Sequence, residues 1–259
     1  LKPVHLAIYT LTAAMLVLPS SGHLSIEKNI AIATREIPMF SDSAFAPVSA
    51  VGDNVYVTWW TNKSTGNWDI FLIRSTDNGK TFGNVTKLTE GNGTSFDARL
   101  DASGDNVYVS WINNKSGSNQ IYFKASNDRG RTFGNEIMID SKISKGEIIQ
   151  PMPRIDNAAT MVSAGNNVYI IWHEDVNRTG HPEILFRTSN DGGATFENIV
   201  NLSNSPDGRS DNPAISEEGR DVFITFWDDK SGERNPYFIA SNDGGIHFGN
   251  LIKLNATAG

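Results

Sequence analysis

Ser189-Asn190-Asp191-Gly192-Gly193-Ala194-Thr195-Phe196 decides the reading of this chain, because the sequence writes the octapeptide four times. The other copies are Ser75-Thr76-Asp77-Asn78-Gly79-Lys80-Thr81-Phe82, Ser126-Asn127-Asp128-Arg129-Gly130-Arg131-Thr132-Phe133 and Ser241-Asn242-Asp243-Gly244-Gly245-Ile246-His247-Phe248. Only the fourth departs from the shared pattern, with His247 where the others carry Thr. A short carboxylate accepts hydrogen bonds from backbone N–H groups close by in the chain, a glycine takes positive φ at no steric cost, and the phenylalanine returns to the sheet as a core side chain. Each copy therefore reads first as a tight turn between strands, and Asp77, Asp128, Asp191 and Asp243 read as turn-formers.

A second motif precedes each octapeptide: Gly52-Asp53-Asn54-Val55-Tyr56-Val57-Thr58-Trp59, Gly104-Asp105-Asn106-Val107-Tyr108-Val109-Ser110-Trp111, Gly165-Asn166-Asn167-Val168-Tyr169-Ile170-Ile171-Trp172 and Gly219-Arg220-Asp221-Val222-Phe223-Ile224-Thr225-Phe226. Turn residues followed by β-branched and aromatic residues read as a turn feeding a strand. Ser75, Ser126, Ser189 and Ser241 stand 51, 63 and 52 residues apart, the length of a four-stranded propeller blade. Each unit then parses into four strands. Strand A falls around Pro47-Val48, Arg99-Leu100, Arg154-Ile155 and Ala214-Ile215, and strand B is the Val-Tyr-Val-type run. Strand C covers 70–74, 121–125, 184–188 and 237–240, and strand D covers 85–88, 136–139, 199–202 and 251–254. The expected fold is all-β, a propeller domain over 41–259 with antiparallel blades at about 41–90, 91–142, 143–203 and 204–259. Residues 23–40 hold an extra strand-like segment, Asn29-Ile30-Ala31-Ile32-Ala33.

On its four octapeptides the chain resembles the Asp-box, or BNR-repeat, β-propellers of the sialidase-like superfamily. The resemblance implies a propeller scaffold. It implies no single activity, since Asp boxes occur in hydrolases, receptors and assembly factors alike. Six-bladed sialidases carry about two more blades than the four recognisable here, which leaves a closed four-blade ring, an open arc and part of a larger ring as alternatives. Sialidases clamp a sugar carboxylate with three arginines and use a Tyr/Glu pair and an Asp as their reacting groups. Arg99 and Arg154 supply two of three arginines, and neither Val48 nor Ala214 supplies the third. Arg35-Glu36-Ile37-Pro38 matches the family's Arg-Ile-Pro signature only with an interruption. Tyr56, Tyr108 and Tyr169 recur at one repeat position and so read as packing residues, leaving Tyr122 and Tyr237 as the other phenols.

The bulk composition is globular, with 39% hydrophobic and 20% charged residues. A net charge of −7 argues against nucleic acid as a partner and against a polybasic membrane patch. The chain has no cysteine, which excludes a disulfide scaffold and a thiolate nucleophile. Residues 1–22 combine Lys2, an apolar run from Val4 to Leu18 and the exit Pro19-Ser20-Ser21-Gly22, the pattern of a secretory signal peptide. An exported chain without cysteine fits a prokaryotic envelope, secreted or on the cell surface.

Strand alternation places the A–B turns and octapeptides on one rim, and the B–C and D–A connections on the other. The second rim varies between blades, as a binding surface on a common scaffold does. Its B–C loops carry Trp60, Lys63 and Trp68, then Asn113, Asn114 and Lys115, then His173, Glu174, Asp175, Arg178 and His181, then Trp227, Asp228, Asp229 and Arg234. Trp60 and Trp227 are candidate sugar-stacking indoles if exposed, with buried packing between blades as the competing reading, and Arg99, Arg154 and His173 are further candidate ligand contacts. Glu174 or Asp175 facing Asp228 or Asp229 across a pocket would make the carboxylate pair of a glycosidase. Against this, the similarity of 228–232 to 114–116 points to a loop scaffold. The spacing of His173, Glu174, Asp175 and His181 is unlike a zinc helix, so no metal or other cofactor is expected. The sequence thus describes an exported, non-catalytic module that binds glycans or envelope proteins and could oligomerise through open blade edges; the alternative is an exo-acting glycoside hydrolase of sialidase type. Phe82, Phe133, Phe196 and Phe248 are expected to be buried.

Overall fold

The computed structural model describes residues 46–62, 67–140, 159–176 and 179–254, all within one compact unit. The signal segment, the segment 23–40, Arg35, Lys63, Arg154 and Arg178 lie outside the described residues. All regular structure described is strand. Four antiparallel meanders follow one another: β1 (Val48–Val51) to β4 (Thr86–Lys87), β5 (Ser95–Ser103) to β8 (Ile137–Met138), β9 (Thr160–Ala164) to β12 (Val200–Asn201), and β13 (Ser210–Glu218) to β16 (Ile252–Lys253). Their second strands are β2 (Asn54–Thr61), β6 (Asn106–Asn113), β10 (Asn167–Glu174) and β14 (Asp221–Asp228). Their third strands are β3 (Asp69–Ser75), β7 (Gln120–Ser126), β11 (Glu183–Ser189) and β15 (Asn235–Ser241).

The described part of the blade-three inner strand is β9, which pairs Met161 with Ile170 and Asn167 with Ala164; Arg154-Ile155, where that strand was expected, lies outside the described residues. In every blade the A–B turn glycine fixes the hairpin, and the residue five positions ahead of it is Arg99 in blade two but Thr160 in blade three. Arg99 and Arg154 are therefore not equivalent.

Successive side chains on a strand point to opposite faces, and the middle blades bury both. Along β6, Val107, Val109 and Trp111 pack with blade one, while Tyr108 on the other face packs with blade three. In blade four, β14 buries Val222, Ile224 and Phe226 against blade three. Its other face leaves Phe223 and Trp227 exposed. The recurring tyrosine is a packing residue with a polar tip: the Tyr108 hydroxyl donates to the Gly165 carbonyl (2.8 Å) and that of Tyr169 to the Gly219 carbonyl (2.9 Å), each in the next blade. Asp101 ties the inner strands together, accepting from Ser163 at 2.8 Å and from Ser49 at 3.4 Å.

The octapeptides fold identically. The serine hydroxyl donates to its aspartate at 2.7–2.8 Å and accepts from the N–H of the fifth-position glycine at 2.8–3.0 Å. The aspartate also accepts from the seventh residue's N–H and hydroxyl, and His247 offers Nδ1 at 2.7 Å where the others offer a threonine hydroxyl. In each blade the fourth residue or its equivalent donates its N–H to the A–B turn of the same blade, at Asp53, Asp105, Asn166 and Arg220. All four octapeptides thus share one rim.

The glycine at the fifth position does more than turn. A Cβ on Gly193 would stand 2.6 Å from the ring of Phe123, and one on Gly245 would stand 2.6 Å from Phe186, each in the preceding blade. The octapeptide phenylalanines reach the same way, Phe196 edge-on to Phe123 and Phe248 edge-on to Phe186, both at 5.0 Å. This corrects the expectation that all four are buried: Phe133, Phe196 and Phe248 are partly buried on the preceding blade, whereas Phe82, in the first blade, is 41% exposed.

Gly192→Ala and Gly193→Ala separate backbone strain from packing, because both glycines have positive φ (76° and 80°) but only Gly193 abuts Phe123. Urea denaturation is expected to show Gly193→Ala more destabilising by about 1–3 kcal/mol, the cost of overpacking; equal losses would refute the inter-blade role. Asp128→Ala is expected to cost only about 1 kcal/mol, since the amides it releases at Arg131 and Thr132 are exposed enough to bond water.

Candidate functional site

Repetition separates scaffold from site on the loop rim. Asn113 and Asp228 are equivalent and do the same work. The Asn113 amide donates to Ser95 Oγ (2.7 Å) and its Oδ1 accepts from the Lys115 N–H; Asp228 accepts from Ser210 Oγ (2.7 Å) and from the Lys230 N–H (2.7 Å). Asp229 likewise accepts from the Arg209 N–H as Asn114 does from that of Thr94. Asp228 is fully buried, and its carboxylate holds the loop. Asp175 accepts from the N–H groups of Thr179 and Gly180, a turn of the same kind.

Arg99 pairs with Asp97 at 2.7 Å, where a bulge gives Asp97 a φ of 56°. Burial pushes the Asp97 carboxyl up and Arg99 draws it back. Tyr122 and Tyr237 are buried, under the ammonium groups of Lys115 (4.3 Å from the ring centroid) and Lys230 (4.9 Å). His173 is half-buried in β10.

Trp60 and Trp227 occupy the same position in the repeat. The expected exposed indole at residue 60 is corrected, because blade two covers it: Trp60 is 7% exposed and belongs to the core between blades one and two. Trp227 is 41% exposed. The Arg234 guanidinium lies 5.2 Å from its ring centroid and bonds Asp211, which also accepts from Arg209 Nε at 2.9 Å. At these three positions blade two carries Thr94, Phe96 and Asn119, so the fold does not require the two guanidiniums.

A second departure lies between blades two and three. Asp140 is 1% exposed; its Oδ1 accepts from the Ile121 N–H at 3.0 Å, and Oδ2 has no partner among the described residues. Blades one and three place Thr89 and Ser203 there, bonded to the equivalent amides of Ile70 and Ile184. Burial, assisted by the nearby Glu174, pushes the Asp140 carboxyl up to about 7, against the pull of the Ile121 N–H and Arg187. Burial also raises Glu174, which accepts from Trp172 Nε1 at 3.1 Å. Among the described residues no group of three or more His, Cys, Asp or Glu side chains could hold a metal ion.

No family profile matches the chain, and no curated protein does. Solved structures do match. The α-L-arabinofuranosidase Arb93A of Fusarium graminearum superposes with a TM-score of 0.52 at 16% identity, covering 81% of this chain and 66% of its own. An α-L-arabinanase of Penicillium chrysogenum in complex with arabinobiose gives 0.54 at 12%, over 84% and 68%. A protein of unknown function from Dyadobacter fermentans gives 0.56 at 17%, over 82% and 69%. The chain has the sialidase-like β-propeller fold. It spans about two thirds of the length of these structures.

Within this propeller the sequence located the B–C loops and Arg234, but it missed Arg209, Asp211 and Asp140. Aligning the blades on their A–B glycines would have exposed Arg209 and Asp211 as departures from the repeat, and aligning them on the octapeptide serines would have exposed Asp140.

Asp140 sets a pH dependence of known sign. Its folded pKa of about 7 lies above the ordinary 3.8, so the folded chain holds the extra proton and stability falls as pH rises from about 4 to about 7. Asp140→Asn is expected to flatten that slope and to raise the thermal midpoint at pH 7.5, measured by circular dichroism; an unchanged slope would refute the assignment.

Proposed function

We propose that the chain is an exported, cell-surface propeller that binds glycans through its loop rim and does no chemistry on them. The observation that carries this reading is the blade-four cluster, in which the Arg234 guanidinium lies over an exposed indole and shares the buried Asp211 carboxylate with Arg209. An indole gives a sugar its apolar face, and arginine forks give its hydroxyls or carboxylates fixed donors. Its fold neighbours include an arabinanase with bound arabinobiose, which supports an oligosaccharide as the ligand class. The non-catalytic part rests on commitment: Asp228 serves a loop, Arg99 serves Asp97, and Tyr122 and Tyr237 serve the core.

A hydrolase reading is favoured by one observation, the two neighbouring carboxyls Asp140 and Glu174, both raised by burial as a general acid requires. Two measurements distinguish the readings. A glycan array should return saturable binders whose affinity drops about tenfold in Trp227→Ala and in Arg234→Ala without a change in melting midpoint. Fluorogenic sialosides and arabinofuranosides should remain uncleaved. Turnover abolished by Asp140→Asn or Glu174→Gln would transfer the protein to the hydrolases, and an empty array would remove the binding reading.

A further inference from the structure

The opposite rim holds a feature that the glycan reading does not use. Between blades one and two an open cleft of about 630 Å³ is bounded by the turns at 51–54 and 104–105 and by Arg74, Arg129 and Arg131. Arg74 and Arg131 also bound an adjoining cleft of about 400 Å³ that runs past Thr81 and Asn84. In a chain of net charge −7, three arginines at one inter-blade seam are a local reversal of sign.

The scaffold does not ask for them. At the seam between blades two and three the equivalent residues are Ala125, Gly192 and Ala194; between blades three and four they are Thr188, Gly244 and Ile246. Arg74 Nη1 donates across the seam to the Arg129 carbonyl at 2.7 Å, but Thr188 Oγ1 makes the same bond to the Gly244 carbonyl at 3.1 Å. A hydroxyl therefore suffices for the joint, and the rest of the Arg74 guanidinium is surplus to it.

The charges in the cleft are unevenly spent. Arg129 Nε bonds Asp105 at 2.7 Å, and Asp53 accepts from the Asn78 amide at 2.9 Å. Among the described residues no ion pair involves Arg74 or Arg131. The Tyr56 hydroxyl, which does not line the cleft, is a further departure of this seam from the repeat. Its counterparts Tyr108 and Tyr169 donate to the next blade's turn glycine, whereas Tyr56 is fully buried with its hydroxyl unpartnered. Its ring lies against Gly130, and burial raises its pKa while Arg74, Arg129 and Arg131 draw it down.

We propose that this cleft binds a tetrahedral oxyanion, a phosphate or sulfate ester group, held by the guanidiniums of Arg74 and Arg131. One arginine fork already satisfies the two oxygens of a carboxylate, whereas a phosphate or sulfate ester presents three terminal oxygens and suits two forks from adjacent blades.

Isothermal titration calorimetry of the full chain at low salt tests this, with inorganic phosphate, inorganic sulfate, glucose 6-phosphate and acetate as probes. Saturable binding of phosphate or the sugar phosphate, weakening as salt is added, is expected, with acetate inert. A tighter sugar phosphate identifies an esterified ligand, and equal affinities identify the free ion; both uphold the site. Arg74→Thr and Arg131→Ala import the residues that blade three carries, so the seam stays intact, and each should weaken binding at least about tenfold with an unchanged melting midpoint. Absence of binding to every phosphate and sulfate probe at about 10 mM, affinity retained in the double variant, or acetate binding as well as phosphate would overturn the proposal.

Discussion

The structure depends on a glycine pressed against an aromatic ring in the neighbouring sheet. A four-stranded sheet with two apolar faces is stable only between two others, and the sheets approach closely only where a turn carries no side chain on the facing side. Gly193 against Phe123 and Gly245 against Phe186 meet that condition. The serine and aspartate hydrogen bonds of each octapeptide hold the glycine at that place. A motif that looks like a surface turn is therefore the joint between blades, and the phenylalanine that ends it closes the same joint edge-on.

This explains why the four aspartates are poor candidates for chemistry and why the chain tolerates His247. Hydrogen bonds from the turn hold the Asp77 carboxyl down to about 2, the Thr81 hydroxyl foremost, and they lower Asp128 and Asp243 as well. In Asp191 the Thr195 donors outweigh the larger single effect of burial, which acts upward. Stability contributed by these groups is present above about pH 4 and is lost as pH falls through their folded pKa values. Asp140 has the opposite sign, because burial rather than a set of donors governs it. One propeller thus contains two classes of carboxylate: turn-formers kept ionised and an inter-blade acid that holds its proton up to about pH 7.

Because four blades share one set of structural duties, what a single blade changes stands out as a departure from the scaffold. Arg209, Asp211 and Arg234 on the loop rim of blade four, and Arg74, Arg129 and Arg131 on the other rim between blades one and two, are additions of this kind. Phe223 is another. It replaces the recurring tyrosine in the blade whose outward face is exposed, where among the described residues there is no further turn carbonyl for a hydroxyl to reach.

The sequence by itself determined the repeat, the all-β blades, the shared rim of the octapeptides and the packing role of Tyr108 and Tyr169, because these follow from spacing and alternation within about fifty residues. It did not give the register of β9 on β10 in blade three, since the stretch before Gly165 is longer there and only hairpin register fixes which residues pair. Tertiary structure alone decided that Trp60 is core while Trp227 is exposed: both occupy one repeat position, and burial there is a property of the blade that follows. It alone brought Arg74 beside Arg129 and Arg131, and Asp140 near Glu174. Contacts between blades join residues that no local propensity relates, so a strand's own pattern reports that it has two faces but not what each face meets.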